Sequence, residues 1–171
     1  FFAVRYGNVF GSSGSVIPKF IEQINNNKKI TITDPTMTRF SITMNQALDF
    51  ILKATQKGHG AEVFIPKLKA YSLQQIHDIL SNLTNAKDHE IIGMRTGEKQ
   101  HELLINSDEM RDAWSYDNMF VLLNDLHESE NLEEVYPGIK KIEDLDVYSS
   151  AKTQQLSTEE ITENIKDLQL L

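Results

Sequence analysis

Arg5-Tyr6-Gly7-Asn8-Val9-Phe10-Gly11-Ser12-Ser13-Gly14-Ser15-Val16-Ile17-Pro18 is the stretch on which the reading of the whole chain turns. The apolar run Phe1 to Val4 leads into it as the end of a buried strand would. Gly7, Gly11 and Gly14 among three serines then make a turn-prone segment. Pro18, with the apolar Phe20, Ile21 and Ile24 after it, reads as the opening of a helix. A strand that stops at a glycine- and serine-rich turn before a helix presents bare backbone N–H groups to a ligand. The same composition also suits a plain flexible connection, and locally both readings stand.

Working outward, the periodicities alternate between strand and helix. Phe1 to Val9 reads as a strand and Val16 to Asn27 as an amphipathic helix; Lys29 to Asp34 and Arg39 to Thr43 read as extended pieces. Asn45 is placed to cap a helix with Ala47, Leu48, Ile51, Leu52 and Ala54 on one face, closed by Gly58. Ala61 to Pro66 is a compact strand, and Ser72 caps a helix carrying Leu73, Ile76, Ile79, Leu80 and Leu83. Glu90 to Met94 is a further strand, followed by short helical stretches at Lys99 to Ile105 and Ser107 to Trp114, and a strand at Met119 to Leu123. Asn124 to Asp146 is polar and irregular, with a turn at Tyr136-Pro137-Gly138. Ser157-Thr158-Glu159-Glu160 forms a capping box for a last helix to Leu168. The pattern is α/β.

At 171 residues, 40% of them hydrophobic, the chain can fill one core. It has no cysteine, which removes disulfides and thiol chemistry. Its apolar runs are too short to span a membrane, and no leader pattern opens it, so a cytoplasmic protein is expected. It starts without methionine in mid-strand, from which residues before Phe1 are expected. The charge of −8 belongs to the tail: from Asp125 onward there are 12 acids against 4 lysines, and residues 1 to 124 balance. With no basic stripe to hold a phosphate backbone, nucleic acid is not an expected partner.

Four places invite chemistry. Beside the Gly/Ser turn, Thr33-Asp34-Pro35-Thr36-Met37-Thr38-Arg39-Phe40 sets an arginine between two extended pieces, and Arg95-Thr96-Gly97-Glu98-Lys99 sets another at the end of a strand. Singly, Arg39 is an ordinary surface charge and Arg95–Glu98 an ordinary pair or cap; jointly, the two arginines suit a diphosphate, because guanidinium binds phosphate oxygens in a planar, bidentate way. His59, His77, His89, His101 and His127 show no metal-ligand spacing, and His77 falls beside core positions. No Ser/His/Asp order or close carboxylate pair marks a self-contained catalytic centre.

The run Arg5-Tyr6-Gly7-Asn8-Val9-Phe10-Gly11 resembles the strand and turn of the extended short-chain dehydrogenase/reductase superfamily. Gly11-Ser12-Ser13-Gly14-Ser15-Val16-Ile17-Pro18, Ile32-Thr33-Asp34-Pro35-Thr36-Met37-Thr38-Arg39-Phe40 and Arg95-Thr96-Gly97-Glu98-Lys99-Gln100-His101-Glu102 are similar to the nucleotide-sugar 4,6-dehydratases of polysaccharide biosynthesis, nearest to the inverting UDP-N-acetylglucosamine 4,6-dehydratases. The likeness runs from Ala3 to Asp108 and returns at Tyr148-Ser149-Ser150. It implies the C-terminal part of such an enzyme, with the last Rossmann strands and a small mixed α/β substrate-binding domain. On that division, residues 1–123 hold the end of the NADP-binding core and the substrate-binding portion, and residues 124–171 an acidic tail with a C-terminal helix.

In that family a bound NADP oxidises the sugar at C4, water leaves across C5 and C6, and the hydride returns to C6 with inversion at C5. By likeness, Val9, Phe10, Gly11, Ser12 and Ser13 pass beside the cofactor, while Asn8, Thr33, Arg39, Arg95 and Glu98 hold the UDP-sugar; no metal is implied. The resemblance also implies a homo-oligomer. Ser13 stands where members usually have arginine, and Thr96 where they have proline. The Gly-rich dinucleotide motif and the catalytic Tyr-x-x-x-Lys would precede Phe1, so the chain alone is expected to bind and position without turnover. A related UDP-amino-sugar epimerase or ketoreductase, and a non-catalytic binding module of the same fold, are the alternatives.

Overall fold

A computed structural model describes residues 1–86, 88–124 and 131–170. Two short strands replace the single one expected at the start: β1 (Ala3–Val4) and β2 (Asn8–Val9) enter different sheets. Gly7 lies between them so close to β-strand neighbours that a Cβ there would sit 2.4 Å from that of Phe40. After the turn come α1 (Val16–Asn25), β3 (Ile30–Ile32) and β4 (Thr38–Ile42). Then follow α2 (Met44–Lys57), β5 (Val63–Pro66), β6 (Ala70–Ser72) and α3 (Leu73–Thr84). The second half adds β7 (His89–Ile91), β8 (Leu103–Ile105), α4 (Ser107–Met110), β9 (Ala113–Tyr116) and β10 (Met119–Leu122). It closes with α5 (Leu132–Val135), β11 (Lys140–Lys141), β12 (Tyr148–Ser149) and α6 (Thr158–Asp167).

The largest sheet runs β1-β5-β10-β9-β11, with β1 parallel to β5 and the remaining neighbours antiparallel. Phe50 and Ala54 of α2 pack on it with Phe64, Tyr116, Val121 and Tyr136. Two smaller sheets carry the candidate site. In one, β2 runs parallel to β4, and β4 antiparallel to β6; in the other, β3 runs parallel to β7. The face of α1 with Ile17 and Phe20 meets Ile32, Tyr71, Ile76 and Leu80, and α6 closes that core with Ile161 and Ile165.

Several expectations change. The Lys99–Ile105 stretch is extended: β8 pairs with β12, Tyr148 opposite Ile105, because a short apolar run is helix or strand according to what it packs against. Ser107 to Trp114 is one helical turn and then β9, held by the capping box of Asn106 and Glu109. Thr43, not Asn45, caps α2 through a capping box with Gln46. Leu48 and Leu52 face outward, 53% and 61% exposed, because the face that packs is the one through Phe50. The acid-rich tail supplies Tyr136, Ile139 and Tyr148 to the cores, while Asp125 to Glu130, including His127, lie outside the described residues. Among the described residues no helix is long and apolar enough to cross a membrane, and no group of histidines and carboxylates could hold a metal ion.

Candidate functional site

Strand register builds a cleft. Asn8 on β2 lies opposite Ser41 of β4, and Arg39 of β4 lies opposite Tyr71 of β6. Because β3 and β7 are parallel, the segments that follow them, carrying Thr33 and Arg95, leave on the same side; the Ile92 N–H still donates to the Ile32 carbonyl at 2.9 Å. Asn8, Thr33, Arg39, Arg95 and Glu98 thus line one cleft of about 220 Å³. Its other wall is the start of α1, from Gly14 through Lys19, with Phe20 and Leu73 as apolar lining.

Arg39 is anchored. Its Nη1 donates to the carbonyls of Thr38 at 2.8 Å and Gln100 at 3.1 Å, and Nη2 reaches Met37 Sδ at 3.7 Å. Arg95 is not: among the described residues its guanidinium has no partner, and Glu98 instead accepts the Arg95 backbone N–H at 3.1 Å. The turn between them returns Glu98 N–H to the Arg95 carbonyl, with Gly97 at φ +83°. Of the two local readings, the side-chain pair is not formed; the Glu98 carboxylate closes a turn on the Arg95 backbone, with no helix there to cap. Lys19, which has no ion pair among the described residues, adds a third cation, so the cleft lining carries three cations and one carboxylate, Glu98.

The neutral members are set by their neighbours. The Tyr71 hydroxyl, raised well above its ordinary pKa by burial and next by the Glu102 carboxylate, is hydrogen-bonded to the Asn8 side chain. The Thr33 hydroxyl donates to Met37 Sδ at 3.1 Å. Ser15 is the N-cap of α1 but makes no cap bond: the third helical position is Pro18, which has no N–H to give. Its Oγ is buried without a partner among the described residues, on the cleft wall.

Val9 to Ser13 do not line this cleft, although Gly14 and Ser15, next in the chain, do. The ring of Phe10 is in the core, 6% exposed, and packs edge-on against Tyr71. Gly11 has φ +72°, and a Cβ there would meet Leu168 Cδ2 at 2.3 Å. Phe10 N–H is taken by the Ile42 carbonyl and Ser12 N–H by that of Val9. Among the described residues, the N–H groups of Gly11 and Ser13 and the hydroxyls of Ser12 and Ser13 are without partners, and these are what the turn can offer a ligand.

Behind the cleft is a network that spacing did not single out. Thr38 Oγ1 lies 2.8 Å from His101 Nδ1 and 2.7 Å from Ser150 Oγ; Ser150 Oγ accepts the Glu102 N–H at 2.9 Å and reaches the Thr38 carbonyl at 3.1 Å. The signal was present as three quoted motifs, but only folding joins them. Two Tyr-x-x-x-Lys spacings also occur, Tyr136/Lys140 and Tyr148/Lys152, and neither lies on a helix that would set both side chains on one face. The Tyr136 hydroxyl donates to Glu62 Oε1 at 2.6 Å, and that of Tyr148 accepts the Leu68 N–H at 2.5 Å, so both tyrosines are structural.

Residues 1–124 match the family model described as polysaccharide biosynthesis protein. Among curated proteins, the chain is 38% identical over 169 residues to a UDP-glucose 4-epimerase of Rickettsia bellii, covering 98% of this chain and 50% of that protein. The counterpart in Rickettsia massiliae is 36% identical over 160 residues, covering 93% and 47%. The chain therefore spans about half the length of the curated relatives it matches. Among solved structures, the X-ray structure of Pen from Bacillus thuringiensis superimposes with a TM-score of 0.85 at 36% identity, over 100% of this chain and 51% of that one. A UDP-glucose 4-epimerase of Thermotoga maritima, solved with UDP-glucose, shares the fold at TM-score 0.56 and 15% identity, over 98% and 45%.

Proposed function

This chain belongs to the polysaccharide biosynthesis protein family, and on that premise we propose that it carries the nucleotide-sugar-binding part of an NADP-dependent 4,6-dehydratase acting on UDP-N-acetylglucosamine. The observation that carries the reading is the convergence of Asn8, Thr33, Arg39, Arg95 and Glu98, from three separate stretches of sequence, on one cleft. Arg39, Arg95 and Lys19 oppose the two negative charges of a diphosphate ester, with the free N–H groups at the start of α1 and the Ser15 hydroxyl as further donors. Glu98 accepts from ribose hydroxyls, and Phe20 and Leu73 give the base an apolar wall. Asn8, oriented by Tyr71, faces the sugar.

The cofactor fits the turn in part. Gly11 N–H, Ser13 N–H and the two serine hydroxyls would touch it, while the Phe10 ring and Gly11, packed on Leu168, fix only the shape of the backbone there. NADP, when bound, supplies hydride acceptance from C4 and its later return. The residues of this chain contribute by holding the diphosphate and turning the hexose, so that binding energy far from the reacting carbons is used for orientation.

A second reading is C4 epimerisation of a UDP-sugar, favoured by the name of the Rickettsia relatives. Both begin with oxidation at C4 and part afterwards: loss of water across C5 and C6, or return of hydride to the other face of C4. Incubation of the intact protein with UDP-N-acetylglucosamine and NADP, followed by NMR of the product, separates them. A 4-keto-6-deoxy sugar is expected; a C4 epimer that retains its C6 hydroxyl gives the epimerase reading. Arg95→Ala, whose guanidinium has no partner among the described residues, should weaken UDP-sugar binding by roughly 1–3 kcal/mol without lowering the melting temperature. Unchanged affinity, measured by calorimetry, removes the cleft assignment.

A further inference from the structure

With Nη1 spent on two backbone carbonyls, the edge of Arg39 that remains is Nε with Nη2. That is a pair of parallel donors of the kind that grips a phosphate. Nη2 gives one of its two protons to Met37 Sδ at 3.7 Å and keeps the other, and Glu102 Oε1 is 3.9 Å from Nε. At that distance a carboxylate attracts the guanidinium without forming a hydrogen bond that a ligand would have to break. Glu102 cannot close the gap, because its other oxygen accepts the Phe40 N–H at 2.9 Å and its own backbone is paired with Ser150 at both N–H and carbonyl, each at 2.9 Å.

We propose that Glu102 is the positioning residue for Arg39: anchored on β4, its carboxylate keeps the Nε–Nη2 edge of the guanidinium turned for a diphosphate ester in the cleft. The inference rests on the UDP-sugar reading above. Burial raises the Glu102 carboxyl above its ordinary range, against the Phe40 N–H and the cations of Arg39 and Lys99. The charged and titratable groups around it are Arg39 on β4, Tyr71 on β6, and Lys99 and His101 on its own segment.

Glu102→Gln keeps an oxygen for the Phe40 N–H and removes the charge, which makes a double-mutant cycle decisive. With UDP-N-acetylglucosamine as the probe and the intact protein in the calorimeter, Glu102→Gln should weaken binding about tenfold when Arg39 is present and less than about twofold in the Arg39→Ala background. An equal loss in both backgrounds, or none in either, overturns the proposal. No binding by the unaltered protein would overturn the UDP-sugar reading itself. Should Glu102→Gln fail to fold, the pH profile decides, measured with His101→Gln in place to silence the neighbouring imidazole. The diphosphate of a UDP-sugar is a diester whose charge is constant from neutral to mildly acidic pH. Glu98, in the cleft itself, titrates in both backgrounds, so the difference decides: affinity that falls more steeply on acidification with Arg39 present than with Arg39→Ala supports the proposal, and parallel profiles refute it.

Discussion

Glu62 shows how one side chain can organise a loop. It is 1% exposed, and its carboxylate accepts from His59 N–H at 2.7 Å, Gly60 N–H at 2.8 Å and the Tyr136 hydroxyl at 2.6 Å. Burial alone would push its carboxyl up; those donors outweigh burial and hold it below the ordinary carboxylate range. A carboxyl depressed in the fold contributes stability that is present above its unfolded pKa and is lost as pH falls through the folded one. Glu62→Gln should therefore cost about 1–3 kcal/mol at neutral pH. Melting curves of the two proteins should approach each other on acidification below the usual carboxylate range; a constant gap would show that the charge is not what matters. None of this could be read from Gly58-His59-Gly60-Ala61-Glu62, because Tyr136 is brought to it only by folding. By contrast, Arg39 and Arg95 were legible from residue type as a pair suited to a diphosphate, whereas Asn8, Thr33 and Glu98 were named only through the family resemblance; all five line the cleft.

Four helix starts repeat one chemistry, and two, Ser15 on α1 and Asn131 on α5, make no side-chain cap bond. Thr43, Ser72, Asn106 and Ser157 each accept from the N3 backbone N–H and receive a side chain in return. Ser15 occupies the same position on α1 and does neither, because Pro18 removes the donor. Ser72→Ala should cost about 1 kcal/mol in chemical denaturation. Ser15→Ala should cost nothing, and gain if its buried hydroxyl is unsatisfied in solution, while UDP-sugar affinity falls. A stability loss in Ser15→Ala equal to that in Ser72→Ala would show that Ser15 is an ordinary cap. The boxes at Ser72 and Ser157 were visible in sequence because cap and partner are three residues apart. The faces of α2 were not, since Leu48 and Leu52 satisfy the same helical period as the buried Ala47 and Ala54.

Across the whole molecule, the last forty residues tie the parts together. Leu156 N–H and the Ala70 carbonyl meet at 2.7 Å, Ser150 joins β4 to the approach to β8, and Tyr148 clamps the link between β5 and β6 through Leu68. Tyr148, its hydroxyl pushed up to about 12 by burial, packs between Phe40, tilted against it, and Phe120, edge-on to it. Tyr148→Phe keeps the ring packing and leaves the Leu68 N–H without its acceptor, so a loss of about 1–3 kcal/mol in urea unfolding is expected; none would mean that water replaces the hydroxyl. The sequence by itself determined the α/β alternation, most helices and the residue types of the cleft, because period, capping and turn chemistry act over a few residues. Tertiary structure alone decided that Phe1 to Val9 divides between two sheets, that Lys99 to Ile105 is partly strand, and that Arg39 is braced while the Arg95 guanidinium has no partner among the described residues. Those outcomes depend on partners far along the chain, such as Gln100 for Arg39, 61 residues away, and Ser150 for Thr38, 112 residues away, and no local pattern records them.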